Sequence, residues 1–358
     1  MKLKLCLLAV LAGFLAMPCV EAAPKNTTPG RGEAPIFYPP APDKPRLQFL
    51  KSFSTSADFE KPPSAFRLFI TGREKKQKSI VKPYGVAVHD KRIYVCDTVH
   101  NGIDILDFNT RKFEHFAPQN EAQLGEPINL DFDAAGTMYV ADARRGQIVM
   151  FDKDLDYLGV IGKGSEFKPT GVLIKNDKIF VCDLKNHSIR VFRLDTKEYL
   201  MSIPRKDAKP EARLFSPANI AVDSEGNLYV SDLGGFRVQK YNVDGEYLMT
   251  IGSHGDAMGQ FARPKGITVD NHGNIYVVDA AFGNVQLFDK SGRLLLFFGD
   301  PGGSQASLVL PAGIAIDYTL KDYFAPLVSP NFEIEYLLLV TSQYGDRKLN
   351  VYGFGHEK

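Results

Sequence analysis

Ser216 to Gly252 reads SPANIAVDSEGNLYVSDLGGFRVQKYNVDGEYLMTIG, and Arg263 to Gly299 reads RPKGITVDNHGNIYVVDAAFGNVQLFDKSGRLLLFFG. The two stretches align without a gap. Each runs from a proline through an apolar segment to an Asp-x-x-Gly turn, then through a segment ending in aspartate, then through two further apolar segments split by a second glycine-bearing turn. In such turns the aspartate side chain bonds the backbone two residues on, and the glycine supplies the positive φ. Short runs rich in Val, Ile, Tyr and Phe between turns of this kind are strands, and four of them in succession make an antiparallel sheet. Their near-continuous apolar character requires that both faces of each sheet be covered.

The pattern extends in both directions. KPYGVAV from Lys82, EPINLDF from Glu126, KPTGVLI from Lys168 and LPAGIAI from Leu310 match SPANIAV from Ser216 and RPKGITV from Arg263, placing the prolines at 83, 127, 169, 217, 264 and 311. Second strands recur as IYVCD to Asp97, MYVAD to Asp142 and IFVCD to Asp183. A period in the forties with four strands per unit is that of a propeller blade. From about Lys82 to Phe354, the succession of opening strand, IYVxD, polar turn, I-x-V-F strand and closing I-G resembles the NHL repeat. The expected fold is therefore all-β: a six-bladed β-propeller of four-stranded antiparallel blades. Unit six has a third strand, LNVYGF, and no fourth, whereas RLQFLKSFS from Arg46 precedes unit one unpaired. That N-terminal strand is expected to complete blade six and remove an open edge. Unit six also departs from the repeat. Its second strand reads YLLLVTSQ, with Ser342 or Gln343 in place of the aspartate, and an insertion spans Tyr318 to Tyr336. The insertion's Tyr323, Phe324, Phe332 and Tyr336 either anchor a partner or pack back over the disk.

Met1-Lys2-Leu3-Lys4 and the apolar run from Leu5 to Met17 form a basic head and a core too short to span a bilayer. Residues 1–22 read as a signal peptide cleaved after Ala22 or Ala23, residues 23–45 as a proline-rich linker, and residues 46–358 as the propeller. A periplasmic or extracellular protein is expected. Lipid anchoring through Cys19 is the alternative, with Pro18 an unfavourable neighbour. Loss of Lys2, Lys4 and Glu21 takes the formal charge from +1 to zero, which removes any overall field for nucleic acid or an anionic membrane. Cys96 and Cys182 occupy equivalent positions in non-adjacent blades and are expected to be free, since a disulfide requires Cα atoms within about 7 Å.

Five aspartates recur at one position: Asp97, Asp142, Asp183, Asp232 and Asp279. Repetition in every blade favours a structural role, accepting backbone N–H groups of the following turn, over metal binding. His100 and His187 fall in turns and read as structural or solvated; no three histidines share equivalent inward positions, and no nucleophile elbow is present. The channel mouth is assigned to Tyr84, Asn129, Thr170, Asn219, Lys265 and Ala312, two amides among them offering a weak calcium site. The resemblance adds an enzyme reading, since related six-bladed folds include metal-dependent lyases and lactonases with ligands around the channel. Sorting loops by strand direction places Lys75, Lys76, Arg144, Arg145, Lys185, Arg205, Lys206, Arg263 and Lys265 on one face, and Asp131, Asp133, Asp152, Asp154, Asp223, Asp244 and Asp270 on the other. The leading expectation is a non-enzymatic module that binds another protein through Arg144, Arg145, Lys185, Arg205 and Lys206; the alternative is a metal-dependent lyase or hydrolase at the channel mouth. FYPPAPDKPRLQFLKS from Phe37 also resembles the start of secreted bacterial NHL propellers encoded beside multihaem c-type cytochromes, which implies a cytochrome or envelope complex as partner.

Overall fold

The computed structural model describes residues 34–61 and 77–358. The leader with its cleavage site and Cys19, and Lys75 and Lys76, lie outside the described residues. Six antiparallel sheets follow one another, five with four strands and one with five. Their opening strands are Pro83–His89, Pro127–Phe132, Pro169–Lys175, Pro217–Val222, Pro264–Val269 and Pro311–Asp317. These sheets are blades 1 to 6, and the protein is a six-bladed propeller.

The core lies between blades. Tyr94, Cys96 and Ile105 of blade 1 pack against Leu130, Val140 and Phe151 of blade 2, and Phe180 and Val191 of blade 3 pack against Ile220 and Val230 of blade 4. Opening strands touch around the axis. A Cβ on Gly266 would stand 2.6 Å from the Ala312 carbonyl oxygen, and one on Gly313 would stand 2.3 Å from that of Tyr84. Only glycine permits so close an approach.

Blade 6 closes the ring as expected. Leu47–Phe53 lies antiparallel to Leu349–Glu357 beside Phe332–Ser342. Pro311 pairs with Ser342, which makes Ser342 the counterpart of the five aspartates. The proline-rich segment is not linker throughout. Phe37–Tyr38 adds a fifth strand to blade 6, and Phe37 meets the Phe332 ring at 5.3 Å. The insertion packs back over the disk: Phe324, Phe332 and Tyr336 are buried, and Phe324 joins Phe53 and Phe108. Cys96 and Cys182 are free and buried.

Candidate functional site: the channel mouth and the basic face

Each opening strand breaks register immediately after its proline. Pro127 pairs with Asp142 and Asn129 with Ala141, leaving Ile128 without a partner. Such a bulge re-aims one side chain per blade. By the same register the bulged residues are Tyr84, Ile128, Thr170, Ala218, Lys265 and Ala312. Asn129 and Asn219 stand one position further along, where blades 3, 5 and 6 carry Gly171, Gly266 and Gly313. The sequence assignment therefore mixed two positions, because an Asn after Pro-x and a Gly after Pro-x look unrelated until register is known. Asn129 and Asn219 pack against Gly85 and Gly171 of the neighbouring blades, and Asn219 Oδ1 accepts the Ile220 N–H at 2.8 Å. The bulged ring holds no carboxylate and one ammonium, a set unsuited to calcium, which takes six to eight oxygen ligands.

The five aspartates hold the mouth in shape. All are fully buried. Asp142 accepts N–H groups of Gly125 at 2.6 Å and Glu126 at 3.0 Å from the incoming loop, and of Arg144 at 3.1 Å and Arg145 at 2.9 Å from the outgoing turn. Asp97 and Asp279 bond both sides in the same way. Burial pushes the Asp97 pKa up, but the N–H groups of Val81, His100 and Val99 more than offset this and hold it below its ordinary value. The structural reading of these residues is correct, and the loop leading into the blade is bound as well as the turn leaving it.

Lys265 is the feature that sets this mouth apart. It is 4 % exposed, and among the described residues it makes no ion pair. Its Nζ donates to Gln343 Oε1 at 3.3 Å and lies 4.8 Å from the centroid of the Tyr84 ring. Burial lowers its pKa to about 8, helped by Arg263 and Lys82. Lys348 Nζ donates to the Gln343 carbonyl at 3.1 Å, so one glutamine touches two ammonium groups. Lys82 lies over the ring of Tyr344, itself 52 % exposed. Sequence reasoning missed Gln343, Tyr344, Lys82 and Lys348 as a group, since they come from blades 6 and 1 and meet only when the ring closes.

The remaining predicted contacts are dispersed. Arg144, Lys185 and Lys206 are exposed loop residues. Arg145 is committed locally, donating to Gln147 Oε1 at 2.9 Å and to the carbonyls of Glu121 at 2.9 Å and Gln123 at 2.7 Å. The Lys185 ammonium contacts the Ser165 carbonyl. Arg205 donates to the carbonyl of Asp244, which the sequence reading places on the acidic face, at 3.4 Å.

No family model and no curated protein matches this sequence. Solved structures share the fold at low identity. A gluconolactonase from Xanthomonas campestris is 16% identical over 86% of this chain and 98% of its own, with a TM-score of 0.58. A virginiamycin B lyase from Staphylococcus aureus is 16% identical over 77% of this chain and 96% of its own, with a TM-score of 0.53. A chain of a nidogen/laminin complex is 17% identical over 75% of this chain and 96% of its own, with a TM-score of 0.54. These likenesses establish the propeller architecture. Among the described residues no helix is long and apolar enough to cross a membrane.

Proposed function

We propose that this chain is an NHL-type propeller working outside the cytoplasm, which binds an acidic protein partner through its basic face with the channel mouth at the centre. Lys265 carries the reading. An ammonium group removed from water without a carboxylate is destabilising by several kcal/mol, and Arg263 and Lys82 add to the penalty. A carboxylate brought by a partner relieves it, so the mouth is preorganised for an anion. Arg144, Lys185 and Lys206 extend the positive surface and steer the approach. The proline-rich start and the basic leader support an envelope setting, with a cytochrome-containing assembly as the partner class that the N-terminal resemblance suggests.

The shared fold supports an enzyme at the channel as readily as a binding module, because a lyase and a gluconolactonase are among the similar structures. The side chains favour binding: the bulged ring of Tyr84, Ile128, Thr170, Ala218, Lys265 and Ala312 supplies neither a carboxylate pair nor a metal-ligating set. Titration with an oligoglutamate peptide tests the proposal. Binding that is saturable in the native protein and lost in Lys265→Met supports it. Equal binding by the two proteins removes the channel mouth from the account, and a turnover lost in Asn129→Ala or Asn219→Ala would restore the enzyme reading.

A further inference from the structure

Away from the channel, blade 1 gathers three side chains that the repeat does not explain. Asp104, on Gly102–Asp107, sits directly across from His115, on Lys112–Phe116. His115 Nδ1 lies 2.9 Å from Asp104 Oδ1. A Cβ on residue 102 would come within 2.6 Å of the Phe116 carbonyl oxygen and 2.9 Å of His115 Cε1, so Gly102 leaves room for both the strand and this imidazole. His100 approaches from the turn after Asp97. Its Nδ1 is 3.3 Å from Asp97 Oδ2, and its ring centroid is 4.7 Å from that of His115. One donor atom from each of His100, Asp104 and His115 lies within 4.8 Å of the others.

The same cross-strand position in other blades shows what is unusual here. In blade 4 it holds Gln239, which accepts from Thr250 Oγ1 at 2.6 Å and donates to the Glu211 carbonyl at 2.6 Å. In blade 5 it holds Gln286, which accepts the Gly259 N–H at 3.0 Å and donates to the Gln260 carbonyl at 2.8 Å. Both amides are satisfied, Gln286 by the loop leading into its blade and Gln239 by that loop and by Thr250 on the outer strand Tyr247–Ile251. Asp104 is fully buried, and its Oδ2 has no hydrogen-bond partner among the described residues. Buried polar atoms are almost always satisfied, and a buried carboxylate oxygen more stringently than most.

We propose that His100, Asp104 and His115 bind a late first-row divalent cation, of which Zn²⁺ is the natural representative. Two imidazoles and one carboxylate suit zinc and its neighbours better than calcium or magnesium, which take oxygen. The ion supplies the partner that Asp104 Oδ2 lacks. Asp97 orients His100 through Nδ1 and leaves Nε2 for the metal, the carboxylate–imidazole arrangement found behind many metal-binding histidines. Three protein ligands and a partly exposed His100 leave the fourth position to water or an incoming group. The site does not depend on the channel-mouth reading.

Metal-stripped full-length protein titrated with Zn²⁺ by calorimetry, and with Co²⁺ by visible absorption, decides the matter. The expected result is one ion per chain, with His100→Ala and His115→Ala each weakening Zn²⁺ binding at least about tenfold, while His187→Ala leaves it unchanged. His100→Gln provides a second substitution at the turn, should His100→Ala melt early. Absence of stoichiometric Zn²⁺ binding by the native protein, or equal affinity in the folded His100 and His115 variants, overturns the proposal.

Discussion

Asp142 shows how much of this fold hangs on single carboxylates. It accepts four backbone N–H groups from two loops while fully buried. Hydrogen bonds to a charged acceptor contribute about 1.5–3 kcal/mol each, and stranded donors add a penalty. Asp142→Ala is therefore expected to destabilise by at least about 3 kcal/mol, measurable by urea denaturation; a loss below about 0.5 kcal/mol would place it with ordinary surface substitutions. Lys265 works in the opposite sense. Burial, then Arg263 and Lys82, lowers its folded pKa from the ordinary 10.5 to about 8. Between those two values the unfolded chain holds more protons than the folded chain, so this group makes stability rise with pH over that window. Below about pH 8 the ammonium is charged in both states and the full penalty applies. Lys265→Met should accordingly raise the melting temperature at pH 7, with the gain shrinking as pH approaches 10. A variant that melts lower at pH 7, or whose advantage does not change with pH, contradicts the assignment. A site that destabilises its own fold is a familiar mark of function.

At the scale of elements, Leu47–Phe53 and the insertion of blade 6 are the pieces on which the closed ring depends. Removing residues 46–54 deletes a paired strand and bares the edge of Leu349–Glu357, so a large fall in melting temperature is expected. Truncation to residue 42 should produce a smaller loss, because it removes only Phe37–Tyr38 and Ile36 from blade 6. Similar melting temperatures for the two would refute the closure account. Phe324→Ala should destabilise by about 3–5 kcal/mol, the range for a buried aromatic truncated to a cavity; a neutral effect would return the insertion to the pool of docking surfaces. The propeller, its ring closure and the free cysteines were legible in the sequence because each rests on periodicity: one proline per unit, with an aspartate in five of the six, and a fourth strand missing from unit six. The fifth strand was not, since two residues among prolines carry no alternation to read. The bulge register was not either, because Asn129 and Gly171 occupy one place without sharing a residue type. Asp104 was hidden for the converse reason: its partners His100 and His115 lie within one blade, so a search for histidines at equivalent positions in different blades passes over them.

For the whole molecule, a chain with a formal charge of +1 over all 358 residues has little net field. In the proposed reading, interaction comes from charge separated onto two faces. Lys82 and Arg263 gather around Lys265, while Arg205 reaches the Asp244 carbonyl at 3.4 Å. On the proposed reading, Arg144 and Lys206 are better steering charges than Arg145 or Arg205, whose guanidinium groups are already bound to backbone carbonyls. Long-range attraction of this kind acts on the association rate and is screened by salt, whereas a buried charge such as Lys265 would act on residence time.

The most direct test of binding through the basic face is the kinetics of oligoglutamate binding, compared between the native protein, Arg144→Glu/Lys206→Glu and Lys265→Met. Salt should run from about 0.1 to about 1 M, over which the Debye length falls from about 10 to about 3 Å. The association rate is predicted to fall with salt and with the double charge reversal, and the dissociation rate to rise in Lys265→Met. Binding that ignores salt, the reversals and the loss of Lys265 alike would contradict a basic-face docking site.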